Sequence, residues 1–247
     1  MTIESLSDKE YRALELESYS SLKYLLDSPA AYIYNKQNPF TGNDSTLLGT
    51  AVHHILQGNS HLVINCPIDK RKRKEYEEWL RMLQETKHQE EETIIVPNAI
   101  WQKLEQIKES IEANANIKDV LYECVFEIPK KGGYNGVVVK GKADAFNPNC
   151  FRIIEIKTSS LATDLTSFRE EAVDRHYDVQ ADLYCKLYGA TSHMFIVVNT
   201  QPPFKVAVYK SGNAFLKGGA VKGAEMVRRY LKYIINGEKY EPGIEEL

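Results

Sequence analysis

Several things are scarce or missing in this chain, and each absence removes a class of protein. Met1 to Glu10 contains no apolar core, so no secretory leader is expected. No apolar run approaches the ~18 residues that a spanning helix needs, so no transmembrane helix is expected. Only four cysteines occur, Cys66, Cys124, Cys150 and Cys185, and no two stand in a Cys-x-x-Cys pair. That spacing speaks against a zinc or iron–sulfur site and fits reduced thiols in a cytoplasmic protein. Internal repeats, low-complexity tracts and a Pro/Gly/Ser linker are all lacking, so residues 1–247 are expected to form one domain. An excess of positive charge is also lacking. Lys plus Arg is 31 against 34 for Asp plus Glu, a formal net charge of -3. A globally basic nucleic-acid binder is thereby excluded, although a local basic groove is not.

What remains is an ordinary soluble composition, 43% apolar and 26% charged, in a chain long enough to bury a core without staples. Helical spacing dominates the first half. Ser18 to Ser21 opens a helix carrying Leu22, Leu25 and Leu26, and Ser28-Pro29 breaks or restarts it. Further helices are predicted over Leu48 to Gln57, along Tyr76, Trp79, Leu80 and Leu83, and from Asn98 through Ile111. The period changes from Leu121. Strands are predicted at Val125–Ile128, Gly136–Phe146 and Cys150–Lys157, with turns at Lys130–Asn135 and Asn147–Asn149. A helix over Asp174–Tyr188, strands at Met194–Asn199 and Phe204–Tyr209, and a helix over Asn213–Ile235 complete the chain. Gly218, Gly219 and Gly223 weaken the first half of that last helix. The order predicts an α/β fold, with a central mixed β-sheet flanked by helices.

The chemically informative segment runs from Gly141 to Ser159. Side chains alternate along a strand, so Phe151, Ile153, Glu155 and Lys157 share one face. A strand reading Ile-Ile-Glu-Ile is expected to be central and buried. An ionised Glu155 there costs several kcal/mol unless a partner or a metal compensates. Asp144 lies across the tight turn, on the neighbouring strand, at the same end of the hairpin. Two adjacent carboxylates repel each other and suit a divalent cation, and oxygen donors favour Mg²⁺ or Mn²⁺. Lys157 follows roughly 7 Å further along the strand, within reach of water or a phosphate oxygen. Such a set is equipped for metal-assisted phosphodiester hydrolysis. The same residues also fit an ion pair flanking a hairpin, and the hairpin alone does not separate the two readings.

Asp144 followed by Glu155-Ile156-Lys157 resembles the active-site signature of the PD-(D/E)xK nuclease superfamily, whose restriction-endonuclease-like core matches the predicted fold class. Gly49-Thr-Ala-Val-His53 resembles the Gly-x-x-x-His motif of its RecB-like and phage exonuclease branches. Gln180-Ala-Asp-Leu-Tyr184 resembles their Gln-x-x-x-Tyr motif. The N-terminal Ser18-to-Pro29 stretch and the basic Arg71-to-Glu75 stretch are similar to the RecE-like exodeoxyribonuclease (exodeoxyribonuclease VIII) group.

The resemblance implies roles for individual residues. His53, Asp144, Glu155 and the backbone carbonyl of Ile156 would be ligands of one or two Mg²⁺ (or Mn²⁺) ions. Lys157 would position or help deprotonate the attacking water. Glu123 matches an acidic position before the hairpin, with Glu127 as its rival. Gln180 and Tyr184 would hold Lys157 or a DNA phosphate, or would be a helix face packed on the sheet. Ser20, Ser21 and Lys23 would bind a terminal 5′ phosphate, and Arg71, Lys72, Arg73 and Lys74 would grip DNA phosphates or form a solvated face. The implied protein is a deoxyribonuclease acting on double-stranded DNA ends, 5′ to 3′, leaving 3′ single strands for recombination. It would be a ring-shaped trimer or tetramer with a single-strand annealing recombinase as partner and no membrane association. It would work in the cytoplasm, that of a bacterial host if phage-encoded. The competing readings are a CRISPR-associated RecB-like nuclease, a restriction endonuclease, and a non-catalytic DNA-binding subunit of the same fold.

Overall fold

A computed structural model describes residues 3, 6–68, 72–86, 93–161 and 164–240. Along the chain come α1 (Asp8–Ala13), β1 (Glu17–Ser18), α2 (Tyr19–Leu22), α3 (Pro29–Gln37), α4 (Asp44–Leu56), β2 (Val63–Cys66), α5 (Arg73–Thr86), β3 (Ile94–Pro97), α6 (Asn98–Ala113) and α7 (Ala115–Leu121). The strand-rich middle follows as β4 (Val125–Phe126), β5 (Pro129–Tyr134), β6 (Val137–Lys142), β7 (Ala145–Asn147) and β8 (Arg152–Ser159). Then come α8 (Leu165–Asp174), α9 (Tyr177–Tyr188), β9 (Ser192–Asn199), β10 (Val206–Lys210) and α10 (Asn213–Arg229), which runs into a π-helical turn at Tyr230–Ile235. Among the described residues, no helix is long and apolar enough to cross a membrane. The four cysteines are free thiols.

The main sheet has five strands in the order β10-β9-β8-β7-β4. It is mixed, with β8 parallel to β9 and antiparallel to β7. The central position of β8 follows from its composition. Ile153, Ile154, Glu155 and Ile156 are all 1% exposed or less, so both faces of this strand are covered. Ile154 and Ile156 join Ile196 and Val198 against α4 and α6, through Val52, Leu104 and Ile107. On the opposite face, Ile153 packs with Val179, Leu183 and Met226 of α9 and α10, while Phe195 and Val197 meet Phe168 of α8. A second sheet, β1-β6-β5, and a parallel pair, β2-β3, sit beside this core.

Four boundaries differ from the sequence reading. The expected turn Lys130–Asn135 is the strand β5, and the reversal occurs at Asn135-Gly136, where both φ angles are positive (49° and 89°). The expected strand Gly136–Phe146 is two strands in different sheets. At the break, the Ala143 N–H donates to the Tyr188 hydroxyl at 2.9 Å, in place of a strand partner. The strand from Val125 stops at Phe126, because Glu127 adopts a left-handed φ of 54°. The helix predicted over Asp174–Tyr188 begins at Tyr177, after the left-handed His176 (φ 58°), and Asp174 instead ends α8, a helix the sequence reading lacked.

Helix α10 is regular through its glycines. Gly219 and Gly223 face α9 and β5 at a separation that leaves no room for a side chain. A Cβ on Gly219 would lie 2.0 Å from the Asp178 carbonyl oxygen, and one on Gly223 would lie 1.9 Å from the Tyr134 hydroxyl. The intrinsic helical cost of glycine, about 1 kcal/mol, is offset by this close packing. Gly219→Ala should therefore destabilise the protein by about 2 kcal/mol or more, against the stabilisation expected at an exposed helical glycine. Urea unfolding with an unchanged slope and a lowered midpoint is the expected result.

Candidate active site

The two strands of the hairpin place the carboxylates together. Ala145 is opposite Ile154, so Asp144, one residue before β7, comes level with Glu155. The Asp144 Oδ2 accepts from the Ile156 N–H at 2.7 Å, and the Asp144 N–H points at Glu155 Oε1 from 3.4 Å. The aspartate is thus held by the backbone of the strand that carries the glutamate.

Glu155 is the most constrained ionisable group of the cluster. Its Oε2 accepts from Lys157 Nζ at 3.1 Å and from Gln180 Nε2 at 2.7 Å. Burial, and next the neighbouring Asp144 charge, push its carboxyl up to about 8, with Lys157 opposing the shift. Burial works against the charge on Lys157 as well. The Glu155 and Asp144 carboxylates outweigh that penalty and hold its proton more tightly than usual. The ammonium also lies 4.9 Å from the centre of the Tyr177 ring.

Helix α4 delivers His53. Gly49, one turn earlier, packs against β8, since a Cβ there would lie 3.3 Å from the Thr158 hydroxyl. This close approach brings His53 Nδ1 to 3.7 Å from Asp144 Oδ1. Glu127 reaches the same place from the end of β4. One ligand atom each from His53, Glu127 and Asp144 lie within 4.8 Å of one another. One nitrogen and two carboxylate donors, with the Glu155 carboxylate adjoining, suit a hard divalent cation. The cluster opens into a cleft of about 680 Å³, lined also by Arg12, Thr50, Gln57 and Lys142.

The other predicted residues are distributed as follows. Glu123 is exposed and accepts from Asn149 Nδ2 at 2.8 Å, at the turn end of the hairpin, whereas Asp144 lies at the other end. The acidic partner of the cluster is Glu127, which also pairs with Lys142 at 2.6 Å and accepts from Gln57 at 3.1 Å. Ile156 contributes its N–H to Asp144, and its side chain is in the core. Gln180 binds Glu155, where the sequence suggested Lys157 or a phosphate. Tyr184 is buried against the hairpin, and a Cβ on Gly141 would meet its ring at 2.8 Å. Ser21 donates to Glu17 Oε2 at 2.7 Å, and Ser20 shares a 2.8 Å hydrogen bond with Ser18. Lys23 is half-buried, and its charge is disfavoured by burial and then by Lys157 and Arg175. Lys72 and Arg73 form exposed ion pairs with Glu75 and Glu77 on α5, where Lys74 is also exposed. Arg71 lies outside the described residues.

Sequence reasoning missed Lys142 and Arg12. The first was within reach, because Lys142 and Asp144 are two apart and alternate as a strand does. No pattern in the sequence ties Arg12 to the hairpin.

Residues 18–243 match the model of a PDDEXK-like domain of unknown function (DUF3799). No curated protein matches the chain. Among solved structures, a protein named "putative exonuclease" from Eubacterium rectale superposes with a TM-score of 0.68 at 17% identity, covering 96% of this chain and 88% of its own. A phage-related exonuclease from Haemophilus somnus 129PT gives a TM-score of 0.37 at 15% identity, covering 55% of this chain and 73% of that one.

The Glu155 environment has a measurable consequence in metal-free protein. A carboxyl that holds its proton more tightly when folded stabilises the fold below the ordinary carboxylate range. That contribution is lost as pH rises towards and through about 8. With a chelator present, the thermal midpoint of Glu155→Gln should gain on the wild type by several degrees between about pH 5 and about pH 9. Parallel midpoint curves for the two proteins would contradict this reading of the site.

Proposed function

We propose, from the premise that the chain belongs to the family of PDDEXK-like domains of unknown function (DUF3799), that it is a divalent-metal-dependent exodeoxyribonuclease. It would hydrolyse phosphodiester bonds from the ends of linear double-stranded DNA. The observation carrying this proposal is the meeting of Asp144, Glu155 and Lys157 with His53 and Glu127 at one end of a hairpin. The name of the Eubacterium rectale protein agrees with an exonuclease reading.

His53, Asp144, Glu127 and Glu155 would hold Mg²⁺ or Mn²⁺, one ion or two, with the Ile156 carbonyl as a further donor suggested by the family resemblance. A bound divalent cation supplies positive charge that polarises a phosphoryl oxygen and acidifies water. The chain's own groups do the rest. Lys157, with its proton held by two carboxylates, donates to a phosphate oxygen or to the attacking water and fixes the line of attack. Gln180 keeps Glu155 in place through its 2.7 Å hydrogen bond. Arg12 and Lys142 add positive charge to the wall of the cleft. Lys23, next to Lys157 and Arg175, suits a terminal 5′ phosphate, because an anion would relieve their mutual repulsion. Lys72, Arg73 and Lys74 are proposed to contact the DNA backbone further out. Cleavage 5′ to 3′ to leave 3′ single strands for recombination, a ring of three or four subunits and an annealing protein as partner complete the proposal. These last features rest on the resemblance to RecE-like exonucleases.

A linear duplex labelled separately at each 5′ and 3′ end tests the reaction. Mg²⁺ should release 5′ label first, a chelator should stop the reaction, and a closed circular plasmid should resist. Lys157→Ala and Glu155→Ala should each lower the rate about 10²- to 10⁴-fold. Full activity in both variants would overturn the assignment.

A further inference from the structure

We propose that the chain holds a second ligand site, for an unpaired nucleobase of single-stranded DNA, in a cavity of about 380 Å³ between α2 and α3. This deepens the nuclease reading and rests on DNA as the substrate. The cavity is walled by Tyr24, Tyr32 and Phe40, with Ser20, Asn35 and Lys36 at its edges. Phe40 is 71% exposed and lies three residues beyond the end of α3. A large exposed aromatic at the mouth of an aromatic-lined cavity offers a stacking surface that water solvates poorly.

The charges favour a base over a phosphate. Lys36 is the only lysine or arginine among the lining residues, and it is ion-paired with the Glu17 carboxylate. Glu17, behind the lining, also accepts from Tyr32 at 2.8 Å and from Ser21 at 2.7 Å, so three of the lining side chains are already engaged by one carboxylate. A phosphate dianion would find the one lining cation already paired with a carboxylate, whereas a neutral aromatic ring needs no cation. Asn35, whose Nδ2 is engaged by the Ala31 carbonyl at 2.8 Å, presents an amide oxygen as an acceptor for the edge of a base.

Tyr24, which lines the cavity, also meets Lys23 on its other side. Lys23 Nζ sits over the rings of Tyr24 (5.2 Å) and Tyr19 (5.9 Å), and it feels the charge of Lys157. The Tyr19 hydroxyl donates to the Arg175 carbonyl at 2.9 Å, next to the start of α9. The single turn of α2 and the residues after it therefore separate a cationic side, near Lys157, from an aromatic side. A strand whose phosphate lies near Lys23 can place an adjoining base in the cavity.

The test uses the full chain in chelator and a single-stranded oligonucleotide carrying 2-aminopurine near its end. The wild type should bind it and quench the probe by stacking. Phe40→Ala should weaken binding about 5- to 100-fold and restore the fluorescence, and Phe40→Trp should retain both. Hydrolysis of bis(p-nitrophenyl) phosphate with Mn²⁺ should be the same in all three proteins. Absence of quenching in the wild type, or wild-type affinity in Phe40→Ala, would overturn the site. Quenched binding without any hydrolysis would leave the cavity assigned and overturn the nuclease reading instead.

Discussion

A carboxylate in the middle of a buried strand has to be held, and much of this molecule is arranged to hold one. Glu155 is 1% exposed in β8, where an unpaired charge would cost several kcal/mol. Its two oxygens are met by the Asp144 N–H, the Lys157 ammonium and the Gln180 amide. Those contacts require β7 to begin beside Glu155, β8 to continue at least two residues further, and α9 to cross the sheet there. The same contacts leave an unresolved charge, since Asp144 stands beside Glu155 and raises its affinity for a proton. A site where two carboxylates meet and one holds its proton unusually tightly is suited to a divalent cation, which is the physical link from packing to the proposed chemistry.

The approach of the helices depends on residues without side chains. Gly141 admits Tyr184 and Leu187 of α9, and Gly49 admits the Thr158 hydroxyl to the face of α4. On the far side of α9, Gly219 lets α10 come against the Asp178 carbonyl, and Gly223 makes room for the Tyr134 hydroxyl of β5. The helix with the Gln-x-x-x-Tyr motif is thus pinned on both sides. Gln180 reaches Glu155 because α9 lies so near the sheet, and His53 reaches Asp144 because α4 does. The motifs Gly-x-x-x-His and Gln-x-x-x-Tyr are in this sense statements about helix–sheet distance as much as about the polar residues they name.

The balance of charge over the chain, formally -3, is a weak guide to its partners. Lys142 pairs with Glu127 and Lys157 with Glu155, while Arg12 lines the cleft with Asp144, so the charges are close to balanced before any cation enters. The basic run at α5 is partly neutralised by its own acidic neighbours, Glu75 and Glu77. Distribution decides which phosphates can be met, and summation over the sequence conceals it.

Much of the site was legible in one dimension. Alternation along Ile153 to Lys157 placed Glu155 and Lys157 on one face, the Asn147–Asn149 turn brought Asp144 alongside, and a run of isoleucines marked the strand as buried. These are local properties, set by a period of two and by the apolar content of a few residues. The sequence by itself therefore determined the central strand, its charged pair and the partner aspartate across the turn. Only the tertiary structure brought Glu127, and not Glu123, beside His53 and Asp144, because that depends on the left-handed φ at Glu127 that ends β4 and on where the strand lies relative to α4. It alone assigned Gln180 to Glu155, brought Arg12 and Lys142 into the cleft, and kept α10 helical through its glycines. Each of those outcomes is a contact between residues distant in sequence, and no local periodicity encodes how closely two elements approach.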